Sequence, residues 1–343
     1  MTRPVVVGGL AVLAIVALVV VAADAVVRPQ SGPLALAATL EEHLLAIGVV
    51  AAIVAAALSF GQGAWGARLR LLAVVLIVVG LLRIGDEWWS PAAAAAGSDG
   101  STRLTVLSWN LENGSKSAAT TVDGIREIDA DLVALQELTP DVAAAIEADQ
   151  ALTTRFPDRV LEPHPGAGGM GLLSRWPLVR EPSLDAPPVL SAGLLLPGGR
   201  GIEVLDVHPF PPSIVRLGPL PAGLDAQRRD DELAVIRSLA DVAHDPRSVL
   251  VAGDLNTSPT EPGYRILASG GLTDAHEAAG IGPGFTWRPS SLEWLGLGLL
   301  RIDHVLTGAA LRATATREDC SIRGDHCRLI VDLAVEPEPR PSG

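Results

Sequence analysis

Lysine is almost missing from this chain: its 343 residues hold one, Lys116. Residues 1–100 carry five Arg and six acids, which leaves 21 basic and 33 acidic groups, a net of −12, to the remainder. A region that acidic lacks the broad basic face of a tight duplex-DNA binder. Nuclease chemistry is not thereby excluded, because a bound divalent cation supplies positive charge where a phosphate sits. Cysteine is equally sparse. The two present, Cys320 and Cys327, stand outside any compact His and Cys cluster of the kind zinc prefers, so no zinc centre is expected. No internal repeat is visible after the first hundred residues.

What the chain has in excess is apolar side chains, 48% of the total, concentrated in its first hundred residues. Residues 5–27 are interrupted only by Asp24, a run long enough for a hydrocarbon core that needs roughly 20 apolar residues. Residues 43–60 and 69–89 are the second and third expected spans. In the third, only Leu71 to Leu82 is free of charge, with Arg70 and Arg83 able to snorkel and Trp88 and Trp89 suited to an aromatic belt. A cleaved signal peptide is the other reading of the first run, supported by Arg3 and by Ala22 and Ala23, but its apolar stretch is long for that. The spans show no paired charges, and Glu41, Glu42 and His43 fall at a helix edge, which speaks against a transporter. Arg3 precedes the first run, and Arg68 and Arg70 lie between the second and third, so the positive-inside rule keeps these ends cytoplasmic. The expectation is a multi-pass cell-membrane protein whose region after Trp89 is extracytoplasmic, provided the third run spans. Residues 91–101, with five consecutive alanines, read as a linker, 102–335 as one domain, and 336–343, with three prolines, as a disordered tail.

Within 102–335 the strand candidates end in polar groups. Leu104 to Trp109 stops at Asn110, and Asp131 to Leu135 stops at Gln136 and Glu137. Ile202 to Val207 ends at His208, before Pro209, which cannot extend a central strand. Ser248 to Ala252 runs into Gly253-Asp254-Leu255-Asn256. Asp303 sits in the short apolar segment Arg301 to Leu306, and Gly324-Asp325-His326 precedes the strand Arg328 to Val335. Helical spacing marks Ala118 to Asp129 and Gln227 to Val242. One polar strand end is an ordinary terminator; six presenting Asn, Asp, Glu or His point to the rim of one pocket. Their hard oxygen ligands suit Mg²⁺ or Mn²⁺, with Ca²⁺ a larger alternative. His43, His164, His244 and His276 have no assignable partners and are read as structural or surface residues.

In order, Ser108-Trp109-Asn110, Leu135-Gln136-Glu137, His208-Pro209-Phe210-Pro211, Gly253-Asp254-Leu255-Asn256, Arg301-Ile302-Asp303-His304 and Gly324-Asp325-His326 resemble the endonuclease/exonuclease/phosphatase superfamily. That superfamily includes DNase I, exonuclease III-type AP endonucleases, sphingomyelinases and inositol polyphosphate 5-phosphatases. The resemblance covers about residues 103–335. It implies an α/β fold, a four-layer α/β sandwich of two mostly antiparallel sheets with helices outside, here preceded by about three transmembrane helices. It also implies that Glu137 is the main Mg²⁺ ligand (Mn²⁺ being the alternative), with Asn110 and Asp325 close to the metal or the scissile phosphate. Asp254 would orient and help deprotonate the attacking water, and Asn256 would hold that water or a phosphate oxygen. His326, paired with Asp303, would donate to the phosphate in the transition state, and His208 would contact another oxygen.

There are departures from the family pattern. Several members place a tyrosine between the Glu and His motifs, whereas the single tyrosine here, Tyr264, follows Gly-Asp-Leu-Asn. Arg175 is a candidate substitute, though a structural role at a strand end fits it better. Pro209 to Gly223 reads as an inert loop, with a place on the substrate rim as the alternative. In an oxidising compartment Cys320 and Cys327 could be bridged, closing a short loop around Asp325 and His326; two reduced thiols are the alternative. The expected function is that of a membrane-anchored, Mg-dependent hydrolase of phosphodiester or phosphomonoester bonds. Its expected partners are a phosphate-ester substrate (nucleic acid, lipid head group or small diester) and the bilayer, with no protein partner evident. A catalytically silent binding domain of the same fold is the alternative.

Overall fold

The computed structural model describes residues 3–88, 101–182, 184–185 and 188–337. Trp89, most of the expected linker and residues 338–343 of the expected tail lie outside the described residues. In chain order the helical segment holds α1 (Arg3–Val27), α2 (Gly32–Thr39), α3 (Glu41–Leu58) and α4 (Gly63–Trp88). Then follow β1 (Thr102–Asn110), α5 (Ala118–Glu127), β2 (Leu132–Gln136), α6 (Pro140–Ala148), α7 (Gln150–Arg155), β3 (Asp158–Glu162), β4 (Met170–Ser174), β5 (Leu178–Arg180), β6 (Leu184–Asp185), β7 (Pro188–Leu195) and β8 (Gly201–Val207). The remainder comprises β9 (Ser213–Leu217), β10 (Leu220–Asp225), α8 (Gln227–Val242), β11 (Val249–Asp254), α9 (Pro262–Ala268), β12 (Thr273–Asp274), α10 (Ala275–Ala279), β13 (Asp303–Thr307), β14 (Leu311–Asp319) and β15 (Arg328–Val335). Two compact units result: Met1–Asp86 with Pro212–Arg228 and Thr260–Gly263, and the rest.

The larger unit is built on two mixed sheets. One runs β14-β15-β1-β2-β4-β3, the other β12-β13-β11-β8-β7-β5 with β6 on β7. β1 with β2 and β8 with β11 are the parallel pairs among the described strands. Successive side chains on a strand face opposite ways, and the sequence uses this period throughout. β1 sends Leu104 and Val106 into the layer between the sheets, and Leu107 and Trp109 outward against α5 and α6. β11 sends Leu250 and Ala252 inward, and Val249 and Val251 outward against α8. Continuing the same period, Asn110, Gln136, Asp206, Asp254 and Asp303 all fall on inward rows. The apolar layer between the sheets therefore closes, at one end, in polar side chains.

In the smaller unit α1, α3 and α4 are each long and apolar enough to cross a membrane. Short α2 between the first two was not anticipated, nor was the strand pair over 213–225, where Pro209 to Gly223 reads in sequence as a loop. α1 and α3 meet through small residues: Ala11, Ala14 and Ala17 are buried with Gly48, Ala51, Ala52 and Ala55. A Cβ at Gly48 would lie 2.5 Å from that of Ala17, so only glycine permits this approach. The expectation that the spans hold no paired charges is corrected. Arg83 of α4 lies 2.9 Å from Asp24 of α1 and 2.8 Å from Glu41 of α3, both fully buried. Linear reading misses this because the three charges are far apart in sequence and meet only where α1 ends, α3 begins and α4 ends. At the other end, Arg3 Nε donates to the last-turn carbonyl of Leu58 at 2.9 Å.

Removing one member of a buried ion cluster leaves uncompensated charge, whereas removing all of them does not. Arg83→Met is therefore expected to lower the thermal stability of the full chain in detergent, and Arg83→Met with Asp24→Asn and Glu41→Gln to recover most of the loss. Equal melting temperatures for the wild type and the single variant would contradict the clamp.

Candidate active site

β11 delivers Asp254 through a glycine that nothing larger can replace. Gly253 has φ 147°, and a Cβ there would lie 2.0 Å from the Val207 carbonyl oxygen of β8. Asp254 Oδ1 then accepts from Asn256 N at 2.8 Å, an Asx turn that fixes the strand exit. Asn256 itself takes the left-handed conformation at φ 52°. Its Nδ2 donates to the Pro209 carbonyl at 2.9 Å, and its own carbonyl accepts from buried Arg229 Nη1 at 2.8 Å. Glu137, just past β2, is also left-handed at φ 56°. Two strained non-glycine residues at adjoining strand ends persist only where their surroundings hold them.

Asn110, at the end of β1, links these two corners. Its Nδ2 donates to Asp254 Oδ2 at 3.0 Å and reaches Glu137 Oε1 at 3.4 Å, while its Oδ1 accepts from Glu112 N at 2.8 Å. His208 Nδ1 donates to the Ala167 carbonyl at 3.0 Å, which leaves Nε2 3.6 Å from both Glu137 Oε1 and Asp254 Oδ2. His326 Nδ1 meets Asp303 at 3.0 and 3.2 Å, and its Nε2 stands 3.6 Å from Asp254 Oδ2. The turn carrying Asp325 and His326 is pinned by Glu112, whose Oε1 accepts from both backbone amides at 2.8 and 3.2 Å and pairs with Lys116. Gly324 allows this, since a Cβ there would lie 2.0 Å from Glu112 Oε1. Cys320 and Cys327 are disulfide-bonded, with Cα atoms 4.4 Å apart, and bracket the same turn.

Burial opposes charge on His326, but Asp303 and Asp254 overcome it and push its pKa up to about 10. The ring is an imidazolium at neutral pH. Burial raises Asp254, against His326 and His208 and with help from Asp303. Asp325 is pushed up to about 7 by burial, opposed by His326 and reinforced by Glu112. Asp254, Asp303 and His326 lie within 4.8 Å of one another and could share a cation by distance alone. His326 Nδ1 and the Asp303 carboxylate are, however, already engaged with each other. Glu137 and Asp325 offer hard oxygen donors of the kind a divalent cation prefers, and the buried Asp325 Oδ1 has no hydrogen-bond partner among the described residues. Around them stand the acidic side chains of Glu112, Glu137, Asp254, Asp303 and Asp325, with Lys116 paired to Glu112 and His326 to Asp303 and Asp254. This excess of negative charge is what a divalent cation neutralises.

Sequence reasoning singled out Asn110, Glu137, His208, Asp254, Asn256, Asp303, Asp325 and His326, and the structure brings them to the same strand ends. It missed Glu112, Lys116 and Arg229, which hold the site's backbone turns. Their signals were a lone lysine, an acid two residues after Asn110, and the run Arg228-Arg229-Asp230-Asp231 ahead of an amphipathic helix. It also missed Gln136 Nε2 donating to the buried Asp206 Oδ1 at 2.7 Å on the inward row. Buried Tyr264 lies within 3.0 Å of Asp274 and 2.7 Å of Glu277, and His276 lies between Glu318 and the Gly282 carbonyl. Arg175 pairs with Asp129 and Asp131, at the far end of β2 from Glu137. These three are structural.

The endonuclease/exonuclease/phosphatase family model matches residues 107–326. The chain belongs to this family. Its members are hydrolases of phosphate esters that generally use divalent metals. An endonuclease/exonuclease/phosphatase from Beutenbergia cavernae has the same fold, with a TM-score of 0.51 and 21% identity over 69% of this chain and 73% of that one. The 3′ phosphatase NExo from Neisseria, bound to a product DNA hairpin, matches at TM-score 0.53 and 19% identity over 66% and 98% of the two chains. AP endonuclease LMAP from Leishmania major matches at 0.53 and 16% over 74% and 95%. At such identities the likeness shows the DNase I-like fold alone. Comparison of the sequence with curated proteins gives no match.

His326 has a folded-state pKa above its ordinary value of 6.5, so its pairing stabilises the fold in full below about that pH. The contribution is lost as pH rises through about 10. The stability gap between wild type and Asp303→Asn, read by denaturant unfolding, is expected to narrow across this window. A gap independent of pH would contradict the imidazolium.

Proposed function

We propose that this protein hydrolyses a phosphate ester by metal-assisted attack of water, in a domain over residues 102–335 held outside the cytoplasmic membrane by α1, α3 and α4. The observation that carries the reading is the convergence of Asn110, Glu137, His208, Asp254, Asp303 and His326 on one buried polar end of the two-sheet core. Glu137 would hold Mg²⁺, or Mn²⁺ in its place, with Asn110 and Asp325 beside it. When bound, the cation supplies positive charge to the phosphate oxygens and lowers the barrier to attack. Asp254 is held at one oxygen by Asn256 N and at the other by Asn110, so it is aimed to take the proton of the attacking water. Asn256, with its amide nitrogen engaged by the Pro209 carbonyl, has its oxygen left to hold that water or a phosphate oxygen. His326, fixed by Asp303, would donate from Nε2 to a non-bridging oxygen as charge develops there. His208, anchored through Nδ1, would present Nε2 to a second one. A binding domain of the same fold would have no need of this complete set.

Membrane anchorage draws support from the helical unit. Asp24, Glu41 and Arg83 meet at a common end, as three alternating spans require, and Arg3, Arg68 and Arg70 fall toward the other. The basic end is the cytoplasmic one by the positive-inside rule. The proposed substrate class draws support from a groove of about 610 Å³ beside Glu137 and His208, walled by Met170, Leu184, Val189 and Phe210, with Glu162 the further acid. None of its described lining residues is Lys or Arg. Such a wall suits a phosphate ester with an apolar or uncharged arm, a lipid or small diester, over an anionic polymer.

Full-length protein in detergent is expected to hydrolyse aryl or lipid diesters faster than oligonucleotides, with Mg²⁺ required and EDTA inhibiting. Asp254→Asn and His326→Gln should each lower kcat by about 100-fold or more. Wild-type turnover in either variant, or in EDTA, would overturn the mechanism, and a preference for oligonucleotides would overturn the substrate class.

A further inference from the structure

The strand pair β9–β10 forms a two-stranded sheet apart from the two large ones. A hairpin of this size is marginal in water by itself. Its root is tied to the connection between α1 and α3. Ser31 bridges Asp225, Gly32 bridges Leu224, and Ala226 N donates to the Gln30 carbonyl at 2.9 Å. Ala35 of α2 is buried with Leu224 and Ala226, and Thr260 Oγ1 donates to the Ala38 carbonyl at 3.0 Å. A Cβ at Gly223 would lie 3.0 Å from the Gly32 carbonyl carbon, so strand and helix start are in direct contact. The hairpin therefore leaves from the same end of the helices as the Asp24–Arg83–Glu41 clamp.

The opposite end of the hairpin is bare. Leu217 and Leu220, 76% and 66% exposed, flank the turn Gly218-Pro219, and the exposure continues back along β9 to Val215 and Ile214, 52% and 43% exposed and paired with Gly223 and Leu224 near the root. Ile214 and Val215 are neighbours on one strand, so each face of the ribbon shows an exposed apolar side chain, Ile214 with Arg216 on one and Val215 with Leu217 on the other. A protein partner packs on one face of a ribbon; a hydrocarbon medium surrounds both. The strand carries one charge, Arg216, on a side chain long enough to reach from an apolar layer to the headgroups.

We propose that the β9–β10 hairpin inserts into the lipid bilayer interface, seating Ile214, Val215, Leu217 and Leu220 among the acyl chains beside α1 and α3. This rests on the reading of α1, α3 and α4 as membrane spans. Because the hairpin begins five residues after His208, it gives the segment following that histidine a foothold in the membrane.

The test uses full-length protein reconstituted into phosphatidylcholine and phosphatidylglycerol vesicles. A fluorophore is placed on single cysteines at Leu217→Cys, at exposed Val12→Cys in α1, and at exposed Val179→Cys in the larger unit, with lipid-borne spin labels as quenchers. Native Cys320 and Cys327 are bridged and do not compete for the label. Leu217 is expected to lose fluorescence most to the shallow quencher, since interfacial elements sit about 5–10 Å into the headgroup and acyl boundary. Val12 should be quenched by deep labels and Val179 by neither. Quenching at Val12 without quenching at Leu217 overturns the hairpin proposal and leaves the spans standing. No quenching at either removes both, and equal quenching at Val179 reduces the effect at Leu217 to surface collision and overturns it.

Discussion

Asn110 donates to Asp254 across the gap between the two sheets, one residue ending β1 and the other ending β11. Everything else at the site is arranged around that contact. It requires the strand ends of both sheets to stop level with one another, and the interdigitated apolar rows behind them enforce this. A slip of one residue in β1 or β11 would turn Asn110 or Asp254 outward and bury an apolar side chain's neighbour in its place. The side chains that do chemistry are thus aimed by the same alternation that builds the core.

The cost of this arrangement is electrostatic. Carboxylates gathered where water is largely excluded repel one another, and the fold answers with His326, set between Asp303 and Asp254, and with Lys116, paired to Glu112. Lys116 is the one lysine in the chain, and it stabilises Glu112, which pins the turn bearing Asp325 and His326. The remaining negative charge would tie the protein's stability to a divalent cation, if one completes the charge balance.

β1, β2, β8, β11, β13 and β15 were legible because their hydrophobic period is regular and their ends are punctuated by Gly, Pro, Asn and Asp, whereas β3, β5, β6, β7, β12 and β14 were not read from the sequence. Gln227–Val242 was recovered as a helix to the residue, since its apolar positions repeat at helical spacing. The site residues were legible because each sits at such a punctuation mark. Arg229, Glu112 and Lys116 were not, because they act on backbone groups distant in sequence, and no local pattern announces a hydrogen bond to the Asn256 carbonyl. The Arg83 clamp was hidden for the same reason. The hairpin over 213–225 was obscured by its prolines and glycines, which signal turns, and by a stabilising partner nearly two hundred residues earlier in the chain.

A cation on the oxygens of Glu137 and Asp325, with His326 left protonated as a hydrogen-bond donor, would be visible by anomalous diffraction from crystals soaked in Mn²⁺. One strong peak is expected within about 2.2 Å of a Glu137 carboxylate oxygen, with Asp325 in its coordination sphere and both His326 nitrogens out of contact. A peak ligated by His326 and Asp303, or none in wild-type crystals at saturating Mn²⁺, would contradict this placement.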